Sequence, residues 1–513
     1  MLDNIADLLL MVGLLAGVFG FPTNFAFRYM VPGTAVGVLV GDLLFFWMAF
    51  GLARKTGRNN ITAMPLGLDT PSTFGMVFFV LGPAFSQAKE SLPLEEAAAY
   101  TWHIGICAIV VSGLFKLGCA WGSHWVRRVV PRAGLLGSLA AVALVLISFL
   151  PLIEILHFPV VGLVALAIVL TALVARIRIP FRVPGALAAL IVASIVYYAM
   201  VARGLIHHDW SQFERAHAAL LPYEWLSVFR MEWWHVFRDS LQYLPIVIPF
   251  ALATVVGGID CTESAAAAGD DFDTRKVIGV EAFATLVAGF CGGVLQTTPY
   301  IGHPAYKAMG GRAAYTLATA LFVGSAGLLG YFGYLYAIIP KATVFPILVF
   351  IGLEITAQSF QATPKKHYAA IALACIPALA ALVLIYVDKI LGELGQVSLS
   401  AELQGEVNTI RVLSNGFIVT SLLWASALAA MIDQRLRVAA GYFAIAAVCA
   451  MFGIIHSPLP GSPMFLPWNL DTVTAATPFQ FGGGYLLVAV LLGAWSLWHD
   501  AVGPSAFEEE LEP

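Results

Sequence analysis

Apolar segments of roughly twenty residues, each long enough to cross a bilayer, follow one another almost from end to end of this chain. Soluble proteins carry about a quarter of their residues as Asp, Glu, Lys and Arg. Here 11% are charged and 60% are hydrophobic across 513 residues. So little charge cannot cover a water-facing surface of that size, so the outer surface must face lipid. The longest polar gaps, 204–239 and 388–410, leave no room for an independent soluble domain.

The same composition narrows the function classes. A net charge of −4 and the lack of a basic run argue against nucleic acid as a partner. Cys107, Cys119, Cys261, Cys291, Cys375 and Cys449 all fall inside apolar segments and form no CxxC pair. They read as packing residues rather than disulfides or metal ligands. No phosphate-binding GxxxxGK[ST] loop, Gly-flanked Ser elbow or Cys/His cluster occurs, so neither a cofactor nor an enzyme is expected. The start, MLDNIADLLL, is acidic where a signal peptide would be basic, and reads as a retained first helix.

Candidate spans are 7–29, 34–53, 61–83, 100–122, 133–151, 157–175, 184–203, 241–265, 277–296, 298–311, 313–332, 334–357, 367–387 and 412–432, with 440–456 and 483–499 beyond them. Positive residues collect in every second loop. Arg54, Lys55 and Arg58 follow the second span, Arg127, Arg128 and Arg132 the fourth, and Arg176, Arg178 and Arg182 the sixth. Arg275 and Lys276, Arg312, Lys365 and Lys366, and Arg435 and Arg437 continue the series, which takes in more than half of the 27 Lys and Arg. The opposite loops carry Glu90, Glu95 and Glu96, then Glu393, Glu402 and Glu406. The alternation predicts both termini in the cytoplasm of a multi-pass protein, with a bacterial inner (plasma) membrane as the expected location.

The spans divide into repeats. Residues 1–203 form a first set of seven, 204–240 an aromatic interfacial connector, 241–432 a second set of seven, and 433–513 one or two extra spans with an acidic tail. An odd number of spans per repeat inverts the second against the first. The expected fold is therefore all-α and polytopic, with about fourteen core spans in a seven-plus-seven inverted repeat.

Two sites break the apolar pattern at corresponding places. Asp69-Thr70-Pro71-Ser72-Thr73 interrupts the third span, and Gln296-Thr297-Thr298-Pro299-Tyr300-Ile301-Gly302-His303-Pro304 the tenth. Thr is a good N-cap and Pro suits the first helical position. Each break therefore predicts extended chain followed by a half-helix, with Thr70 and Thr298 as the caps. Half-helix starts expose N–H groups and a positive dipole end. Irregular backbone at this depth is tolerated only where it lines a protein-enclosed cavity. Asp69, Thr70, Thr73, Thr297, Thr298 and His303 are the candidate substrate-binding residues.

Acids inside the membrane are costly and are commonly paired, protonated or functional. Asp260 and Glu263, three residues apart on the eighth span, are candidates for binding a coupling proton or sodium ion. Glu281 and Glu354 suggest structural pairing, to a Thr or a backbone N–H, and Asp42 has no evident partner.

The stretches GGIDCTESAAAAGDDFD (257–273), GVEAFATLVAGFCGGVLQTTPYIG (279–302) and GGRAAYT (310–316) resemble the nucleobase–cation symporter and nucleobase–ascorbate transporter superfamily. MPLGLDTPSTFG (64–75) and PKATVFPILVFIG (340–352) are similar to its third and twelfth spans. The resemblance implies a core domain of spans 1–4 and 8–11 moving against a gate domain of the rest. It also implies a small-molecule substrate between spans three and ten, and a homodimer through the gate. At the positions where that family holds its substrate-binding acids, this chain carries Val256 and Gly302. The expectation is an ion-coupled permease for a nucleobase or similar small polar heterocycle. Two alternatives stand beside it: a small-anion transporter of sulfate-permease-like architecture, and a non-transporting receptor or scaffold on the same fold.

Overall fold

A computed structural model describes residues 2–121, 132–180, 183–300, 303–308, 310–394, 399–459, 464–471 and 474–502. Arg127, Arg128, Arg182, Ile301, Gly302 and the acidic tail lie outside the described residues. The described residues are almost entirely helical, and many of the helices are apolar along their whole length. Eight described helices are long and apolar enough to cross a membrane, or up to ten if each bent helix pair counts as one span. About fourteen crossings were expected, and the shortfall in long helices has local causes. The first apolar stretch stops at Phe19 and restarts at Thr23. The tenth holds a helix of only six residues, His303–Ala308, among its described residues. The helices Tyr315–Leu328 and Phe332–Ile338 meet at a 92° bend.

Two compact units make up the chain. The first comprises Met1–Val129 and Ile147–Ile351. Its helices that matter for the site are α1 (Leu2–Phe19), α2 (Val31–Thr56), α3 (Thr70–Met76), α4 (Leu94–Trp121), α5 (Leu244–Ala267), α6 (Thr274–Phe290), α7 (His303–Ala308) and α8 (Tyr315–Leu328). α3 runs on through a π-turn, Val77–Leu81, into Gly82–Ala88. Strand β1 (Leu66–Leu68) precedes α3, and strand β2 (Thr297–Pro299) precedes α7. The strands pair antiparallel, Leu66 opposite Pro299 and Leu68 opposite Thr297.

α4 packs on α6, and α8 packs on α2, while α2 and α6 pack on each other. Each is a contact between the second span of one repeat and the fourth or second span of the other. Small residues permit the central contact. Gly33, Gly37 and Gly41 form a stripe at i, i+4 and i+8 on α2. A Cβ at Gly37 would sit 2.5 Å from that of Ala288, and one at Gly33 would sit 2.2 Å from the Cys291 carbonyl oxygen. In lipid, where helices gain little from hydrophobic burial, such close backbone approach is a main source of association.

The connector carries short helical turns, including Ser211–Ala218 and Tyr223–Arg230. Trp210 and Trp234 are exposed, while Trp233 is buried and its carbonyl accepts the Cys107 thiol at 3.3 Å.

The second unit comprises Val130–Leu146 and Gly352–Pro513. Within it Arg132–Val142, Tyr368–Leu394 and Phe417–Ile432 pack through Ala133, Ala370, Ala374, Ala425 and Ala429. Leu436–Met451 lies against Ala476–Val502. His456 Nε2 and Tyr485 hydroxyl, 2.7 Å apart, tie that pair to the preceding loop.

Candidate functional site

A two-stranded ribbon enclosed by membrane helices raises one question first, the fate of its outward-facing backbone groups, because no water stands ready to satisfy them. Between the strands, the Asp69 N–H donates to the Gln296 carbonyl at 3.1 Å and the Tyr300 N–H to the Pro65 carbonyl at 2.8 Å. On the outer edge of β1, the Leu66 N–H donates to Asp42 Oδ1 at 3.3 Å and the Leu68 N–H to Asn4 Oδ1 at 2.8 Å. On the outer edge of β2, the Thr297 N–H donates to Thr285 Oγ1 at 3.3 Å, and the Thr297 carbonyl accepts Lys116 Nζ at 2.9 Å. Pro299 has no N–H to satisfy, which suits an edge position, and its carbonyl accepts the Cys261 thiol at 3.3 Å. Five helices thus each lend a side chain to the ribbon.

Asp42 is therefore not partnerless, since it anchors β1. Glu281 takes neither a Thr nor a backbone N–H as its principal partner. Its carboxylate lies 2.9 Å from Lys116 Nζ, with both side chains fully buried. Gly258 on α5 leaves room for it, because a Cβ there would come within 2.7 Å of Glu281 Oε2. Lys116 was missed by sequence reasoning that searched only for acids. A single lysine in the apolar run 100–122 was the available signal.

The first break starts its half-helix one residue earlier than expected. Asp69, not Thr70, is the N-cap, with its Oδ2 accepting the Ser72 N–H at 2.9 Å. A carboxylate accepts more strongly than a hydroxyl at this positive helix end. The Thr70 hydroxyl is released to donate to Asp7 Oδ2 at 3.1 Å, and the Thr73 hydroxyl donates to the Asp69 carbonyl at 3.0 Å. The second break is longer than expected. Thr298 and Pro299 belong to β2 and do not cap a helix, because ladder pairing runs through Tyr300, and α7 begins at His303.

The predicted site residues fall into three places. Asp69, Thr70, Thr73, Thr297 and Thr298 lie at the ribbon and at the start of α3. Gln296 joins them, its Oε1 accepting the Ser112 hydroxyl at 2.7 Å while its amide stands beside the Asp69 carboxylate. His303 belongs to another cluster. Its Nε2 is 3.0 Å from Asp270 Oδ2, and Asp270 also accepts Lys307 Nζ at 2.5 Å and the Thr62 N–H at 3.1 Å. Arg58 stands 3.7 Å from the same carboxylate and donates to the Gly269 carbonyl. Asp270 sits in the loop between α5 and α6, outside the spans. Burial pushes its carboxyl up, but Lys307, the Thr62 N–H and His303 together outweigh burial and hold it below its ordinary value. Asp260 is half-buried and Glu263 exposed on α5, in a third location.

A cavity of ≈ 210 Å³ opens along β1, between α1, α2 and α8. Asp3, Asn4, Asp42, Tyr306, Tyr315 and Thr316 line it.

No family model matches the sequence, and no curated protein matches it, so the nucleobase-transporter resemblance remains a resemblance. Among solved structures, the chain is similar to the transmembrane domain of BicA, a cyanobacterium bicarbonate transporter, at 16% identity and a TM-score of 0.43, over 77% of this chain and 97% of that one. It is also similar to SLC26A9, at 12% identity and a TM-score of 0.46, over 76% of this chain and 65% of that one. What those proteins carry is a property of their own sites.

Proposed function

We propose that the chain is an ion-coupled secondary transporter, with a small anion bound at the paired break as its substrate. The observation that carries this reading is the state of the α3 start. There a helix N-terminus inside the membrane already holds an oxyanion, the chain's own Asp69 carboxylate, on the Ser72 N–H. The Gln296 amide, beside Asp69, adds a second donor at the same break. The Lys116 ammonium supports the wall behind it through the Thr297 carbonyl. Substrate entering here displaces or accompanies Asp69, and movement of the helices that carry the ribbon exposes the break to alternate sides.

A nucleobase is the second reading. Asp7 Oδ1 favours it, as a buried acceptor with no hydrogen-bond partner, on the carboxylate that also takes the Thr70 hydroxyl. An N–H edge of a heterocycle would suit that oxygen.

One substitution separates the two. Asp69→Asn keeps a capping oxygen, so α3 should survive. Thermal stabilisation of the purified protein would be measured against bicarbonate, sulfate, nitrate and chloride, and against uracil, xanthine and hypoxanthine. A saturating ligand at a hundred times its Kd stabilises by about 2.7 kcal/mol. An anion whose effect is kept or strengthened in Asp69→Asn supports the first reading. A heterocycle whose effect is lost there supports the second. Silence across the panel for the folded wild-type protein would contradict both.

A further inference from the structure

Each edge of the ribbon stands beside a buried acid, and the edges differ in what faces that acid. On the β2 edge, the acid is Glu281, from the second span of its repeat, and Lys116, from the fourth span of the other repeat, neutralises it at 2.9 Å. On the β1 edge, the acid is Asp42, again from a second span, and the helix facing it is α8, again a fourth span. α8 supplies no base. It supplies Tyr315, Thr316 and Thr319, and the space is open.

The groups facing that space are short of partners. Asp42 is 1% exposed and spends one oxygen on the Leu66 N–H; the other has no hydrogen-bond partner among the described residues. The same holds for the Tyr315 hydroxyl and for the Thr316 hydroxyl, on a residue 1% exposed. Asp3 brings a second carboxylate to the lining. A buried carboxylate oxygen without a partner is costly, and so is a buried hydroxyl. All three orphans face one cavity, which makes a common ligand the economical account. A small cation answers all three at once, meeting the Asp42 carboxylate with its charge and taking an oxygen from each hydroxyl. Soft or nitrogen-preferring metals do not fit, because no group of three His, Cys, Asp or Glu able to hold a metal occurs among the described residues. The volume, at about 30 Å³ per water, leaves room for a small ion with several waters of its shell.

The geometry points to a monovalent-cation site in this cavity, with Asp42 as its charged ligand and the Tyr315 and Thr316 hydroxyls as neutral ones, the bound ion taking at β1 the part that the Lys116 ammonium takes at β2. The site is separate from Asp260 and Glu263. As a statement about binding, it stands even if the chain transports nothing.

The test uses the purified full chain in detergent, with Tm measured in NaCl, KCl and choline chloride at equal ionic strength. The expected result is a saturable rise in Tm with sodium or potassium over choline. Asp42→Asn keeps an oxygen for the Leu66 N–H, so it should fold and lose the rise. Tyr315→Phe removes a hydroxyl that holds nothing else, so it should fold and need more cation for half-maximal effect. Thr319→Lys should raise Tm in choline and abolish the response, by giving β1 the tethered ammonium that β2 already has. Equal wild-type Tm in all three salts, as expected were the chain's own amino-terminal ammonium to fill the site, overturns the proposal. So does a full cation response in folded Asp42→Asn, or a response to calcium alone.

Discussion

Lys116 and Glu281 form a fully buried ion pair against a strand edge. Removing one partner strands a charge in a low-dielectric interior, which costs about 3–5 kcal/mol. Lys116→Met is therefore expected to lower the Tm steeply, and Lys116→Met combined with Glu281→Gln to recover much of the loss. Thermal unfolding of the wild type and the two variants in one detergent checks this, and equal stability of single and double variants would contradict it. At Asp69, Ala deletes the cap while Asn replaces it, so Asp69→Ala is expected to cost about 1 kcal/mol more than Asp69→Asn. The sequence made Asp69 visible as a candidate but not as the cap, because the choice between Asp69 and Thr70 depended on Asp7 standing ready to take the Thr70 hydroxyl. The same limit hid the role of Lys116, whose three partners lie on α6 and β2, far along the chain.

Among the elements, α2 and the ribbon carry the consequences. The stripe Gly33, Gly37 and Gly41 sets how closely α2 meets α6, and through them where Asp42 and Thr285 stand. Gly37→Val overpacks that seam and is expected to destabilise by about 1–3 kcal/mol, read as a lowered Tm with the rest of the helices intact by circular dichroism. The loop cluster around Asp270 predicts a pH dependence. Its folded carboxyl lies below the ordinary value, so its contribution is present above about pH 4 and is lost as pH falls through the lower, folded value. The Tm gap between wild type and Asp270→Asn should accordingly be constant at neutral pH and close in acid. A gap that widens in acid would contradict the assignment. Both breaks were legible from Thr-Pro pairs in otherwise apolar spans. Their pairing as strands was not, since three residues of β1 and three of β2 carry no alternation long enough to read, and only the meeting of two distant segments makes them strands.

At the scale of the whole molecule, the amino-acid sequence announced a chain of membrane-spanning helices most clearly, through apolar segments on both sides of the 204–240 connector and basic residues in alternate loops. Within it two breaks at corresponding places meet antiparallel, and second and fourth spans exchange partners between repeats. Among the described residues the long helices are more broken than hydropathy implies, because it reads a stretch interrupted at Gly20-Phe21-Pro22 as one span. The central claim is that this paired break serves transport driven by an ion gradient. Its most direct test is uptake of labelled bicarbonate, sulfate or chloride into liposomes containing the purified protein, with a sodium or proton gradient imposed and then collapsed. Accumulation above the outside concentration that disappears with the gradient is the predicted result. Uptake that only equilibrates, or matches that of empty liposomes for every ion in both gradients, would contradict the account.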